Sequence, residues 1–309
     1  GWNVKAAAGT FRLSDGQALF TREWRPAREA SAVVLCVHGV ESHSEWFEEF
    51  AAELAKRGLA AFAFDRPGWG RSAGARGHLA SYADAVRQIA EIAAALRERY
   101  QTVHLAGLSW GGLLALYAAL RRAPLFDSLT LIAPGICSRA DMTVPQKCGI
   151  AWNLVRQRAE ALVPLPLHVE QFTKRQERRE FIRHDPHRVT AVSAQFCLET
   201  LKMRAFVRAN CQRRCVSSAR LLLAGDDEMI DNAGTRELLS GMETHVFPKA
   251  AHSLVFEDPA GVAAAIVEER PGTANLRVQS VGGNTGRTRG CPAPPGCAPG
   301  LRPRSRRPP

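Results

Sequence analysis

The sequence predicts an α/β fold with a mostly parallel central sheet, helices on both faces and a helical cap insertion. Three observations predict it. Apolar runs of strand length alternate with amphipathic helical stretches through residue 135 and again after residue 218. Between Ile136 and Ser218 the alternation gives way to charged helical sequence interrupted by Pro145, Pro164, Pro166 and Pro186. That segment lies between two strands of the sheet, which makes it an insertion over the carboxyl ends of the strands, where open α/β sheets bind ligands. The predicted divisions are core residues 1–135, the cap 136–218, core residues 219–269 and a tail 270–309.

Each element has its own signal. Residues 19–24 read as an early, partly exposed strand, and 32–37 (Ala-Val-Val-Leu-Cys-Val) as a buried one. An amphipathic helix over 45–57 follows, then a strand over 59–64. Apolar residues at helical spacing predict a long helix over 82–99. Residues 103–106 suit a short buried strand and 112–120 a buried helix. Strands follow over 129–132, 220–224 and 244–247.

Gly107-Leu108-Ser109-Trp110-Gly111 carries the chemistry. It reads G-x-S-x-G between a predicted strand and a predicted helix. A sharp strand-to-helix turn strains its central residue, small flanking residues relieve the crowding, and the hydroxyl is held out near a helix N-terminus. A serine hydroxyl needs a base, and the base needs an orienting acid. Asp226, Asp227, Glu228 and Asp231 follow one late strand and are the candidate acids. His252 follows the next and is the candidate base. The order serine, acid, histidine is the one this architecture requires. His38-Gly39-Val40 ends the 32–37 strand, so the Val40 N–H can face a tetrahedral oxyanion together with the N–H of Trp110. His38, Gly39 and Glu41 are the candidate substrate-contacting residues of that loop.

His38-Gly39-Val40-Glu41-Ser42-His43, the Asp65 to Ser72 segment, Gly107 to Gly111, and Gly225 to Asp231 with His252 together resemble the monoacylglycerol lipase and lysophospholipase-like group of the α/β-hydrolases. The resemblance covers roughly residues 10–268, with its segments in the family's order. It implies Ser109 as nucleophile, Asp227 as the acid among the four candidates, His252 as base, and Val40 and Trp110 as oxyanion donors. It also implies a lid over the site and carboxylic esters as substrates, with monoacylglycerol-like or lysophospholipid-like lipids favoured. Glu41 departs from the many members of the family that have a small residue there; pointing inward, its carboxylate would disfavour anionic substrates.

Composition agrees. Of 309 residues, 46% are apolar, enough for one large core, and no run approaches the roughly 18 apolar residues of a membrane span. No secretory signal pattern is read. The net charge is +11, and residues 270–309 hold eight arginines and no acid, which leaves the body near neutral. That Pro-, Gly- and Arg-rich tail predicts disorder and, at most, weak contact with a polyanion. The eight cysteines lack zinc-site spacing and read as free thiols of a reducing compartment, the cytoplasm, with Cys36 and Cys197 in the core. Cys211 and Cys215 can share a helix face and bridge locally. Asp65-Arg66-Pro67-Gly68 reads as a structural turn. No cofactor, metal or obligate protein partner is expected beside the small-molecule ester. Two other readings stay open: an aminopeptidase, which needs a cap acid for the substrate amine (Glu170, Glu177, Glu180, Asp185 or Glu199), and a non-catalytic binding protein, against which an intact triad argues.

Overall fold

A computed structural model of the chain describes residues 6–139, 142–211, 214–216, 218–267 and 278–280. Strands β1 (Ala7–Arg12), β2 (Ala18–Trp24) and β3 (Ala32–Val37) lead into a single 3-10 turn (Ser44–Phe47) and helix α1 (Glu48–Lys56). β4 (Ala60–Phe64), α2 (Tyr82–Arg97), β5 (Thr102–Leu108), α3 (Trp110–Arg122) and β6 (Ser128–Ile132) follow. The sheet resumes with β10 (Ala219–Ala224), α8 (Asn232–Leu238) and β11 (Glu243–Phe247), and ends in α9 (Leu254–Glu257) and α10 (Pro259–Val267). The eight strands lie in the order β1-β2-β4-β3-β5-β6-β10-β11. All pairings from β4 to β11 are parallel, and β1 and β2 are antiparallel at one edge.

The strand patterns explain the layers. All six residues of β3 are buried, because helices cover both faces of the sheet. Val33, Leu35 and Val37 join one core, with Ile89 and Ile92 of α2 and Leu113 and Leu116 of α3. Val34 and Cys36 join the other, with Phe50 and Leu54 of α1 and Val262 and Ile266 of α10. From β3 the chain moves to β4 on one side and then to β5 on the other. This reversal opens a crevice beyond the carboxyl ends of β3 and β5, where such sheets bind ligands. His38-Gly39-Val40 and Ser109 lie at those two ends.

Between β6 and β10 the chain forms α4 (Val144–Val155), β7 (Leu162–Pro164), α5 (Val169–Phe172), α6 (Gln176–His184), β8 (Ala191–Ser193), α7 (Ala194–Cys211) and β9 (Arg214–Val216). Pro145 does not interrupt a helix there. It occupies the first turn of α4, where no backbone donor is needed, behind a capping box formed by Thr143 and Gln146. Pro164 closes β7, which pairs antiparallel with β8 across the intervening α5 and α6, a pairing that no local sequence signal marks.

Three other features depart from expectation. β1 has no periodic apolar signal because nearly all of it is exposed; Asp15-Gly16 at its turn was the available sign, with Gly16 at φ +87°. Helix 45–57 begins as a 3-10 turn capped by His43. Cys215 lies in β9, away from the helix that ends at Cys211, and Cys211 carries a free thiol. Most of the tail lies outside the described residues, so its expected disorder and polyanion contact do too. Residues Val278–Ser280 form β12, paired antiparallel with β9. No helix among the described residues is long and apolar enough to cross a membrane.

Candidate active site

Ser109 sits between β5 and α3 at φ 55°, ψ −122°, a left-handed backbone that L residues adopt only under constraint. Glycines make the turn possible. A Cβ on Gly107 would lie 2.4 Å from the Gly111 carbonyl oxygen, and one on Gly111 would lie 2.2 Å from that of Val37. The Ser109 N–H donates to Ile132 O at 2.9 Å, and its own carbonyl accepts from Gly112 and Gly135, both at 2.8 Å. The nucleophile elbow is therefore tied into its neighbouring strand and into α3.

Asp227 and His252 come from the loops after β10 and β11. His252 Nδ1 lies 2.8 Å from Asp227 Oδ2. Asp227 Oδ1 accepts from the backbone N–H groups of Met229 (2.8 Å) and Ile230 (3.0 Å). Burial raises the Asp227 pKa, but the facing imidazole and the two N–H donors outweigh it and hold the carboxyl below its usual range. Of the other candidate acids, Asp226 pairs with Lys174 at 2.5 Å on the surface, and Asp231 caps α8. Asp227 alone among the four is hydrogen-bonded to His252. The histidine loop is braced from the insertion: Ser253 N–H donates to Phe172 O at 2.7 Å, and the Phe172 ring meets His252 edge-on.

Ser109, His252, Val40 and Trp110 all border one cavity of about 330 Å³. Ile150, Ala151 and Leu154 of α4, Leu165, Pro166 and Leu167, and Phe196, Cys197 and Leu198 of α7 supply much of its apolar wall. Those are the apolar runs of the insertion. Cys197 packs against the core, as its apolar surroundings predict, and also borders the cavity. Met142, Met229 and Ile230 also line the wall, and nothing in their local sequence marked them for it. The lining residues with charged side chains, Lys147 and Arg204, are both basic.

The three residues expected to contact substrate do not line the cavity. Glu41 turns toward the insertion and forms a buried ion pair with Arg188, whose Nη2 lies 2.6 Å from Oε2. Burial pushes the Glu41 carboxyl up to about 7, with Arg188 pulling the other way. His38 is fully buried: Nε2 accepts from the Arg66 N–H at 3.1 Å, and Nδ1 is 2.9 Å from Gly39 O. Desolvation, helped by the Arg66 charge, holds its pKa well below the ordinary histidine value, so it is neutral. Gly39 packs against Ser109 from behind, so closely that a Cβ on it would lie 3.3 Å from the serine Cβ. Asp65 accepts from the N–H groups of Ser44 (2.7 Å) and Arg71 (2.9 Å), in keeping with a structural turn. His43 is bound to Asp185 at 2.8 Å, and no cluster of metal-ligating side chains occurs among the described residues.

Comparison with known proteins follows the same lines. The Hydrolase_4 family, described as serine aminopeptidase, S33, matches residues 28–259. Human monoglyceride lipase is 34% identical over 123 residues, 39% of this chain and 41% of that protein. The match to such curated relatives thus spans about two fifths of their length. A monoacylglycerol lipase of Mycolicibacterium smegmatis is 26% identical over 254 residues, 76% of this chain and 86% of that one. Among solved structures, a monoacylglycerol lipase of Paleococcus ferrophilus superposes with a TM-score of 0.71 at 22% identity, covering 81% of this chain and 97% of that one. A soluble variant of Saccharomyces cerevisiae monoglyceride lipase gives 0.72 at 17% identity, covering 85% and 94%. These superpositions establish the α/β-hydrolase fold.

Proposed function

The chain belongs to the Hydrolase_4 (serine aminopeptidase, S33) family of α/β-hydrolases, and we propose that it is a serine hydrolase of carboxylic esters carrying one long acyl chain, monoacylglycerol-like or lysophospholipid-like. The observation that carries this reading is the apolar cavity of about 330 Å³ shared by Ser109 and His252. Residues 136–218 act as the cap over core residues 1–135 and 219–269. Apolar cap side chains bury the acyl chain, at roughly 0.8 kcal/mol per methylene.

Ser109 Oγ attacks the ester carbonyl. His252 takes the proton through Nε2 and returns it to the leaving alcohol. Asp227, bonded to Nδ1 at 2.8 Å, sets the tautomer and stabilises the imidazolium. The N–H groups of Val40 and Trp110 receive the oxyanion. Water then repeats the sequence on the acyl-enzyme. The free thiols of Cys36, Cys137, Cys148, Cys197 and Cys211 support work in a reducing compartment such as the cytoplasm.

The pocket disfavours peptidase action. Among the described residues no acid borders the cavity, and the cap acids that could hold a substrate amine are engaged elsewhere. Glu170 and Glu180 pair with Arg183, Glu177 with Arg175, Asp185 with His43, and Glu199 with Lys202.

The test is a panel of p-nitrophenyl esters from acetate to dodecanoate, beside aminoacyl-p-nitroanilides. kcat/KM should rise by up to about fourfold per added carbon until the cavity is filled, the anilides should remain uncleaved, and Ser109→Ala should lose both turnover and labelling by a fluorophosphonate. A steady fall from acetate to octanoate would refute the lipid reading. Labelling of Ser109→Ala at the full rate would refute the nucleophile.

A further inference from the structure

A trans peptide is planar, so its C=O and N–H point in opposite directions, and holding the oxygen aims the N–H. Each proposed oxyanion donor shares a peptide with the carbonyl of the preceding residue. The Trp110 N–H is paired in this way with Ser109 O, which backbone donors of Gly112 and Gly135 hold at 2.8 Å. The Val40 N–H is paired with Gly39 O, and that oxygen is held by side chains. Arg66 Nη2 donates to it at 2.8 Å and His38 Nδ1 at 2.9 Å.

Arg66 does more than supply that one bond. Its Nη1 donates to His38 O at 2.9 Å, so the guanidinium forks across two successive peptides of the loop. Its backbone N–H donates to His38 Nε2 at 3.1 Å, which leaves the ring hydrogen on Nδ1, where it meets Gly39 O. The guanidinium carbon lies 4.7 Å from the Trp69 ring centroid and 4.3 Å from that of Trp110. Trp69 in turn donates from Nε1 to Val40 O at 2.5 Å.

The placement is costly. Arg66 is 1% exposed, and among the described residues no carboxylate forms an ion pair with it. Asp65 beside it directs its oxygens to Ser44 and Arg71. The Arg66 Nε is buried with no hydrogen-bond partner. Burying a cation is strongly unfavourable, and the charge of the adjacent Asp65 offsets that cost only in part. A turn that needed only hydrogen-bond donors could use a smaller neutral residue. The fork geometry instead commits both terminal nitrogens to the carbonyls behind the catalytic loop.

We propose that Arg66 is a positioning residue of the hydrolase: its guanidinium holds the Gly39–Val40 peptide so that the Val40 N–H faces the oxyanion, and its charge polarises that peptide further. The inference rests on the proposed serine hydrolase function. Arg66 does not line the cavity that Ser109 borders. It acts through a peptide whose other end does the binding, and stabilisation of this kind is worth most in the transition state, when charge appears on the oxygen.

Arg66→Met, Arg66→Lys and Arg66→Ala, each checked for folding by near-ultraviolet circular dichroism, test this with p-nitrophenyl octanoate. Arg66→Met should lose on the order of 10²-fold in kcat with KM changed by less than about twofold, as for loss of an oxyanion donor. Arg66→Lys keeps the charge but not the fork and should lose about tenfold. Millimolar guanidinium chloride should restore part of kcat to Arg66→Ala and none to Arg66→Lys. Should Arg66→Met fail to fold, the lysine variant decides. An Arg66→Lys kcat equal to that of the unmodified chain overturns the proposal, as does a loss confined to KM, which would make Arg66 a pocket-shaping residue. An unmodified chain that hydrolyses no ester and accepts no fluorophosphonate refutes the proposed function itself; one that does both while Arg66→Lys matches it refutes only the role of Arg66.

Discussion

Replacing Asp227 by asparagine should remove nearly all turnover while leaving the fold in place, and the hydrogen bonds around the carboxylate say why. Oδ1 receives two backbone N–H groups, from Met229 at 2.8 Å and Ile230 at 3.0 Å. An asparagine must put its carbonyl oxygen there, because turning the amide over would set its NH2 against both donors. The NH2 group then occupies the Oδ2 position, 2.8 Å from His252 Nδ1 in the unmodified chain. Nδ1 must become an acceptor, the ring hydrogen moves to Nε2, and no lone pair remains to take the Ser109 proton. The expected loss is on the order of 10⁴ in kcat, or about 5 kcal/mol of transition-state stabilisation. Asp226→Asn is the control. Its side chain is half exposed and pairs with a half-exposed Lys174, a surface contact of little consequence, so kcat should stay within about twofold. The assay is steady-state turnover of p-nitrophenyl octanoate by both variants, with melting curves to confirm folding. An Asp227→Asn variant that keeps more than about a tenth of kcat would refute the tautomer argument; a larger loss in Asp226→Asn would shift the acid by one residue.

Glu41→Gln should flatten the pH dependence of stability between about pH 4.5 and 7. Burial pushes the folded carboxyl up to about 7, so in that window the folded chain binds this proton and the unfolded chain does not, and rising pH erodes stability through this group. Parallel urea-denaturation free energies for the two proteins across the window would show that Glu41 does not titrate this way. Leu154→Trp should fill part of the cavity that Leu154 lines and move the best acyl chain to shorter lengths, by about fourfold in kcat/KM for each methylene excluded. An unchanged chain-length profile would place the acyl chain elsewhere.

Much of the fold was legible because its signals are local. Short apolar runs marked β3, β4, β6, β10 and β11 close to their observed bounds, and helical periodicity marked α2. The turn at Ser109 was legible for the same reason: strand, glycines and helix are contiguous, and the strain at φ 55° is relieved only by the small residues beside it. β1 was missed because an exposed edge strand needs no apolar alternation. The C-terminal helices α9 and α10 also went unread, although α10 packs firmly on α1.

The candidate site divides along the same line. Sequence alone determined the class of fold, the position of the serine, and a short list of acids and one histidine, since each follows a recognisable strand. Tertiary structure decided which acid meets His252, because neighbouring residues on one loop point in different directions and only the approach of the β11 loop selects among them. It also turned Glu41 away from the cavity toward Arg188, a residue 147 positions further along the chain. The cavity wall is assembled from α4, α7 and the loop after Asp227. Arg66, read in sequence as part of a turn, lies 27 positions from the Gly39 carbonyl it holds. Local backbone geometry is encoded by contiguous residues, but the direction of a loop side chain is set by the partners that packing brings to it.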